Sequence, residues 1–170
     1  STIKNVTFTL GTGNTFGIRA NQSTTIDGIN SITNNGTISI NSNQMNYGTA
    51  LTIAADTTVS GTGDVLLSHG ASFSQLNTLN GSTLTLAQDQ TLHGQGTISA
   101  AIVNQGTIAA DVTGGTLTLQ SHNIENDNLI QATNQSTLAV YRIQILNSTG
   151  KVSVLNQSVI KMNSATITGG

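Results

Sequence analysis

The chain has 170 residues, a length that suits one domain, and it carries a net charge of −2 with only 7% charged residues. It has no cysteine, which excludes disulfides and thiolate metal sites, and no Lys/Arg cluster that would neutralise nucleic-acid phosphates. No stretch approaches the roughly 18 apolar residues that a membrane helix needs. Asn, Ser and Thr supply the polarity, while Val, Ile, Leu and Thr favour strands, so the composition predicts an all-β fold.

The segment 1–30 is the least regular part of the sequence. Within it, 16–28 resembles the unit that begins at Leu51, but the match is loose. We therefore expect one solenoid domain over 1–170, with a less regular N-terminal coil over 1–30. Because the sequence has neither an initiator Met nor a signal peptide, we expect a segment of a longer protein or a fibre subunit.

Two long units in the middle of the chain match position for position. One runs from Leu51 to Val65 and the other from Leu84 to Ile98. The matched positions include an Asp and two glycines, namely Asp56, Gly61 and Gly63 in the first unit and Asp89, Gly94 and Gly96 in the second. The offset of about 33 residues is one and a half times a solenoid coil of about 22 residues. Either one coil is longer, or the motif recurs on a different face.

A second repeat has an apolar residue, then Asn, then Gly, then Ile. Clean copies span 32–38 and 102–108, and looser copies start at Ile124 and Ile145. The polar and glycine positions of this repeat are Asn34, Gly36, Asn104, Gly106, Asn126, Asn128 and Asn147. The last three copies follow one another at about 21–22 residues, a period typical of a three-faced β-helix.

The predicted fold is a right-handed parallel β-helix of about seven coils, each of roughly 20–24 residues. Each short strand alternates inward and outward side chains, and stacking the coils makes one narrow apolar core. Gly and Asn at the corners are expected to supply tight or left-handed angles, and equivalent Asn side chains to form ladders. An antiparallel sandwich stays open as the alternative, with hairpin turns at 27–28, 35–36 and 80–81.

The strings LHGQGTISAAIVNQGTIAAD, at 92–111, and GGTLTLQ, at 114–120, resemble repeats of bacterial surface β-helix proteins. These are autotransporter passengers and the filamentous-haemagglutinin-like exoproteins of two-partner secretion. The resemblance is clearest from about Thr83 to Val140. It implies the fold and an extracellular or cell-surface location, and it carries no functional residues across. The Asn-Pro motifs of the family's secretion domain are missing, which implies a shaft segment.

The acidic residues give no clear catalytic pattern. Asp56 and Asp89 occupy equivalent repeat positions and are expected to form turns. Asp64, His69 and Ser72 include the residue types of a nucleophilic triad, but a solvated turn is the better interpretation because such triads depend on geometry. We therefore predict a non-catalytic protein.

Metal and cofactor binding are also not expected. His93 and His122 are predicted to be surface histidines without a partner at ligand spacing. Segment 61–64 resembles half of a calcium-binding nonapeptide but has no tandem copy, so we predict no calcium there. Glu125 and Asp127 form the only acidic cluster, and a weak cation site there is a minor alternative.

Four pairs of threonines flank an apolar residue. If the apolar residues point inward, the pairs point outward. Thr suits an exposed strand position, so the simplest interpretation is ordinary surface, and an ice-binding face is the alternative. The eight residues are Thr7, Thr9, Thr83, Thr85, Thr116, Thr118, Thr166 and Thr168.

Together these observations favour a structural or adhesive shaft of a secreted or cell-surface bacterial protein. Its expected partners are identical copies stacked end to end, or glycans or proteins of a host or cell surface. The alternatives are a carbohydrate-binding or carbohydrate-cleaving β-helix, such as a phage tailspike fragment, and an ice-binding solenoid. All of these rest on fold-level analogy, and one fold hosts many functions.

Overall fold

The structure is a computed structural model that describes residues 1–170 apart from the side chain of residue 71. Apart from a 3-10 turn at Ala71–Phe73, its regular elements are 22 strands. The first twelve strands are β1 (Thr2–Lys4), β2 (Phe8–Leu10), β3 (Thr15–Ile18), β4 (Ser23–Asp27), β5 (Ser31–Asn34), β6 (Thr37–Ile40), β7 (Thr49–Ile53), β8 (Thr57–Ser60), β9 (Asp64–Ser68), β10 (Ser74–Thr78), β11 (Leu84–Leu86) and β12 (Thr91–Ser99). The remaining strands are β13 (Ile102–Asn104), β14 (Thr107–Ala110), β15 (Thr116–Gln120), β16 (Ile124–Asn126), β17 (Leu129–Ala132), β18 (Thr137–Tyr141), β19 (Gln144–Leu146), β20 (Lys151–Val154), β21 (Val159–Asn163) and β22 (Thr166–Thr168).

The strands stack on three faces, which we call A, B and C in the order that the chain visits them. Face A holds β1, β4, β7, β10, the second half of β12, β15, β18 and β21. Face B holds β2, β5, β8, β11, β13, β16, β19 and β22, and face C holds β3, β6, β9, the first half of β12, β14, β17 and β20. The paired strands are parallel and belong to successive coils. The chain is therefore a parallel β-solenoid of seven complete coils and two strands of an eighth.

Parallel pairing excludes the antiparallel sandwich. Asn80 and Gly81 do have the positive φ angles of a hairpin turn, at 57° and 74°. They join β10 to β11, however, and these two strands lie on different faces. The right-handed winding stays a prediction, based on the general preference of parallel crossovers.

Coil length varies along the stack. The steps from β4 to β7, where Ile26 pairs with Ile53, and from β7 to β10, where Leu51 pairs with Leu76, are the two longest on face A. The pairing of Leu76 with Ile98 is typical of the shorter steps. Both steps exceed the predicted range of roughly 20–24 residues. The first is long because its connection from face C to face A, 41–48, is extended, whereas in the second the additional residues are spread over β8, β9 and the corners that follow them.

The structure also explains the offset between the two long units. Leu51 lies in β7 on face A, whereas Leu84 lies in β11 on face B. The motif therefore recurs one coil and one face further on, which is the second of the two alternatives.

The core consists of inward columns of aliphatic side chains. On face B one column joins Leu84, Ile102, Ile124 and Ile145, each at most 2% exposed. Such burial contributes roughly 1.5–3 kcal/mol for each large aliphatic residue. The core is narrow because each strand gives it only one or two side chains, and this explains how a chain with few aromatic residues fills it.

Three buried asparagines form the ladder predicted from the second repeat. Asn104 Nδ2 donates to Asn126 Oδ1 over 2.7 Å, and Asn126 Nδ2 donates to Asn147 Oδ1 over 2.5 Å. All three are at most 4% exposed. At the same corner two coils apart, Asn34 Nδ2 donates to Gln90 Oε1 over 3.0 Å. These asparagines stabilise the corners through side-chain hydrogen bonds and not through left-handed backbone angles, because none of them has a positive φ.

The corner glycines fall into two groups. Gly61, Gly94 and Gly96 have φ of 103°, 108° and 148°, as expected for residues that supply unusual backbone angles. Gly36, Gly63 and Gly106 have ordinary φ, so that expectation does not hold for them. An added Cβ there would collide with backbone carbonyl oxygens of the adjacent coil, so close packing is what requires glycine.

Candidate functional site

The eight outward threonines do not share one face. Thr9, Thr85, Thr166 and Thr168 lie in strands of face B, and Thr7 and Thr83 immediately precede such strands. Thr116 and Thr118 lie in β15 on face A. The pairs are thus divided between two faces and do not form a single row.

The two repeated aspartates also lie apart. Asp56, at the corner between faces A and B, accepts a hydrogen bond from the Thr83 backbone N–H over 2.8 Å. Asp89, at the corner between faces B and C, has a φ of 68°, a turn conformation. Both therefore belong to corners, but to different ones.

Asp64, His69 and Ser72 do not form a hydrogen-bonded triad in the described chain. Asp64 Oδ1 accepts a hydrogen bond from Thr37 Oγ1 over 2.9 Å, and Asp64 Oδ2 lies 3.4 Å from His93 Nε2. His69 instead contacts Asn46.

The side chains of Glu125 and Asp127, the minor alternative for a cation site, do not converge on a common point. Glu125 is exposed on β16, while Asp127 accepts a long hydrogen bond, 3.5 Å, from Thr149 Oγ1. Among the described residues, no group of three or more His, Asp or Glu side chains is placed to hold a metal ion. His122 is exposed on the turn after β15.

Two aspartates that are distant in sequence meet His93 on face C. His93 Nδ1 lies 2.7 Å from Asp111 Oδ2, and Nε2 lies 3.4 Å from Asp64 Oδ2. Asp64 comes from the preceding coil and Asp111 from the end of β14 in the following coil. The other oxygen of Asp111, Oδ1, is buried without a hydrogen-bond partner in the described chain. The cluster therefore joins three successive coils through their outward side chains.

The two carboxylates change the acidity of His93. Burial of the ring is the largest single effect and lowers the pKa. The hydrogen bonds and negative charges of Asp111, and after it of Asp64, act in the opposite direction and together outweigh burial. The net result is a pKa raised above the ordinary value of 6.5. Folding thus favours the protonated ring.

A raised pKa predicts that His93 stabilises the fold more at mildly acidic than at alkaline pH. The contribution is complete below the pKa of the unfolded chain, near 6.5, and is lost as pH rises through the higher folded pKa. Between about pH 6 and pH 9 we expect the Tm to fall by a few degrees more in the unaltered protein than in His93→Gln. Thermal melts at several pH values test this, with His122→Gln as the control. An equal pH dependence in His93→Gln and the unaltered protein would contradict it.

A groove lies at the corner between faces C and A, where loops of unequal length follow one another. Two connections protrude, 41–48 before β7 and 69–73 before β10. In the next coil the chain turns within β12 itself, at 94–96, and in the coil after that it forms loop 111–115. A tight bend between protruding loops leaves a groove of about 540 Å³.

One wall of the groove is aromatic. The rings of His69 and Phe73 stack with centroids 5.2 Å apart and an interplanar angle of 20°. His69 Nε2 forms a 2.7 Å hydrogen bond with Asn46 Oδ1, and the His69 backbone N–H donates to Ser74 Oγ over 2.9 Å. Ser74 is itself buried and donates to the Ile40 carbonyl oxygen. The wall is therefore held against the solenoid by the side chains of Asn46 and Ser74, and through Ser74 by the backbone of β6.

The floor and far wall are polar. Gln95 forms the floor, with Oε1 only 3.1 Å and 2.8 Å from the positions that a Cβ would take on Gly70 and Gly115. The far wall consists of loop 111–115 and the outward side chains of Thr116 and Thr118 on β15. Because Asp111 begins this loop, its contact with His93 fixes the loop to face C. In the part of the chain that the structure describes, the groove lining contains no Asp, Glu, Lys or Arg.

Comparison of the chain with family models, with curated proteins and with solved structures finds no match. The fold defines the class, a parallel β-solenoid protein. Among the described residues no helix is both long and apolar enough to cross a membrane.

Sequence reasoning missed both the groove and the His93 cluster. The signal for the groove was the longer period of the coil that leads into β7, since its extra residues lie in loop 41–48, which contributes Asn46 to the groove lining. No such signal existed for the cluster. Asp64 and Asp111 lie 29 residues before and 18 residues after His93, and they are not repeat equivalents.

Proposed function

We propose that this chain is a non-catalytic shaft segment of a secreted or cell-surface bacterial protein, with an adhesive role. The observation that supports it most is the uninterrupted ladder of parallel strands around one core. A solenoid of this kind is extended along one axis and presents long polar faces, which suits a spacer. The resemblance of segment 92–120 to repeats of bacterial surface β-helix proteins supports the location.

The two ends of the stack support association along the axis. Inward residues of the first coil, such as Ile3 and Phe16, are only partly buried, although their equivalents in middle coils are almost fully buried. In the last strands Ile160 and Ile167 are partly buried, and Met162 is 44% exposed. Apolar columns and open strand edges at both ends favour a further layer on each, from the same polypeptide or from another copy.

Electron microscopy of the purified chain over a concentration series tests the proposal. We expect narrow rods roughly 35 Å long at low concentration, from about seven steps of 4.8 Å. At higher concentration the rods should join end to end into filaments. Compact particles would contradict the shaft, and single rods at every concentration would contradict self-association.

A charged substitution at the open end provides the matched comparison. Met162→Lys places an ammonium group on the inward side of β21, the last strand of face A, where stacking of a further coil would bury it without a partner. This variant should remain a rod and fail to form filaments. Ser153→Lys, on the outward side of β20, is the control and should still form them.

A further inference from the structure

We propose that the groove at the corner between faces C and A binds a neutral oligosaccharide. This inference deepens the adhesive part of the proposed function and rests on that part alone. It does not depend on how the shaft ends associate.

The groove presents polar groups that the protein itself leaves unpaired. In the described chain, no hydrogen bond occupies the side-chain amide of Gln95 or the hydroxyls of Thr116 and Thr118. Asn46 accepts a hydrogen bond from His69 through Oδ1, and its Nδ2 donors have no partner among the described residues. A side-chain amide has both an NH₂ donor and a carbonyl acceptor, and a hydroxyl group can donate and accept. Sugar hydroxyls also donate and accept, so these groups match them.

The aromatic wall supplies the apolar complement. Phe73 is only half-buried, and its stacking on His69 makes a flat surface across two rings. The C–H-bearing face of a pyranose ring is flat and weakly apolar, so it packs on such a surface while its hydroxyls face the polar floor. Binding sites of this kind combine apolar walls with a few fixed polar groups.

The electrostatics favour a neutral ligand. Among the described residues, no carboxylate, ammonium or guanidinium lines the groove, and His69 is the one titratable side chain in the lining. An acidic sugar or a phosphate would have no charged partner here, and charged groups are recognised best through charge-assisted hydrogen bonds. The groove therefore suits neutral hexoses or N-acetylhexosamines.

The backbone pairing disfavours an extended peptide. Such a peptide usually binds by adding a strand to a free sheet edge. Beside the groove, β12 is paired on both sides, with β10 and β15 on face A and with β9 and β14 on face C. Recognition must therefore come from side chains. The groove spans two strand spacings between loops 69–73 and 111–115, which is about 10 Å. This width admits a single chain of sugar rings.

The test is a titration of the ¹⁵N-labelled chain with cellotriose, maltotriose or an N-acetylglucosamine trimer. Binding is monitored by NMR through the chemical shifts of the backbone amides. At least one of these neutral probes should shift the amides of 69–73, 94–96 and 114–118 and leave those of face B unchanged. The probes are raised to about 10 mM, beyond which affinity would be too weak for recognition. Trigalacturonic acid serves as the charged comparison.

Two variants with matched controls assign the binding to the groove. Phe73→Ala removes the flat surface and should weaken binding about tenfold or more, whereas Tyr141→Ala, an exposed aromatic residue elsewhere on face A, should not. Thr118→Val removes one hydroxyl with little change of shape and should weaken binding severalfold, whereas Thr85→Val on face B should leave it unchanged. Unaltered shifts outside the groove confirm that each variant is folded.

Each outcome decides the inference. No shift with any neutral probe, shifts elsewhere on the solenoid, or a response to trigalacturonic acid alone would overturn it. Equal binding by Phe73→Ala and the unaltered chain would also overturn it. The shaft proposal is judged separately by the rods in electron micrographs, so a solenoid without a sugar site and a chain that is no solenoid are distinguishable.

Discussion

Replacing Gly106 with alanine should destabilise the protein by about 3 kcal/mol, the upper end of what overpacking usually costs. The φ of Gly106 is ordinary, so the effect does not come from backbone conformation. The added methyl group would overlap the carbonyl oxygen of Gln90 and lie 2.7 Å from that of Ala87. Both atoms belong to the backbone of the preceding coil, which cannot move without disturbing ladders on two faces.

Urea unfolding of Gly106→Ala and Gly48→Ala measures this effect against a matched change. At Gly48 an added Cβ has one neighbour within contact range among the described residues, the Ser72 carbonyl oxygen at 4.0 Å. This control should stay within about 0.5 kcal/mol of the unaltered protein, as other surface substitutions do. If both variants unfold at the same urea concentration, close coil packing is not what requires glycine at 106.

The fold could be predicted because a solenoid repeats its physical requirements in every coil. Each coil needs inward aliphatic residues at alternate positions and a tight corner, so the copies at 32–38 and 102–108 show the same pattern. The spacing of Ile102, Ile124 and Ile145 matches their column on face B. Periodicity alone was therefore enough to predict the class of fold and an approximate number of coils.

The exact register could not be predicted, because corners differ in length. Asn34 and Asn104 look equivalent, since each is the last residue of its strand on face B and is followed by a short corner. The pairings of face B nevertheless run from Asn104 through Leu86 and Val59 to Ile32, and so do not reach Asn34. The reason is that the corners after β8 and β11 are longer than those after β5 and β13.

The candidate sites were harder to predict because they depend on departures from the repeat. The groove exists where long loops stand beside the short bend at 94–96, and His93 meets Asp64 and Asp111 only through stacking of different coils. A repeat pattern describes what the coils share. Binding surfaces on a solenoid arise where one coil differs from its neighbours, so they need the three-dimensional register.

Replacing Asn126 with alanine should destabilise the protein by roughly 2–4 kcal/mol, because two buried amides lose partners at once. Asn126 Oδ1 accepts from Asn104, and Asn126 Nδ2 donates to Asn147. All three side chains are shielded from water, so the freed groups cannot be rehydrated. Asn128→Ala, two residues away and exposed, removes only a surface hydrogen bond to the Gln105 carbonyl and should cost much less. Chemical denaturation compares the two variants.

The isosteric change Asn126→Asp separates hydrogen bonding from volume. A carboxylate has no donor, so it would set an oxygen against Asn147 Oδ1 and bury an unpaired charge beside it. We expect this variant to be less stable than Asn126→Ala at neutral pH and to recover part of the loss near about pH 4, since a protonated carboxyl can donate. If Asn126→Asp matches the unaltered protein at neutral pH, the amide ladder contributes shape alone. If its loss is constant over the pH range, burial of charge is not the cause.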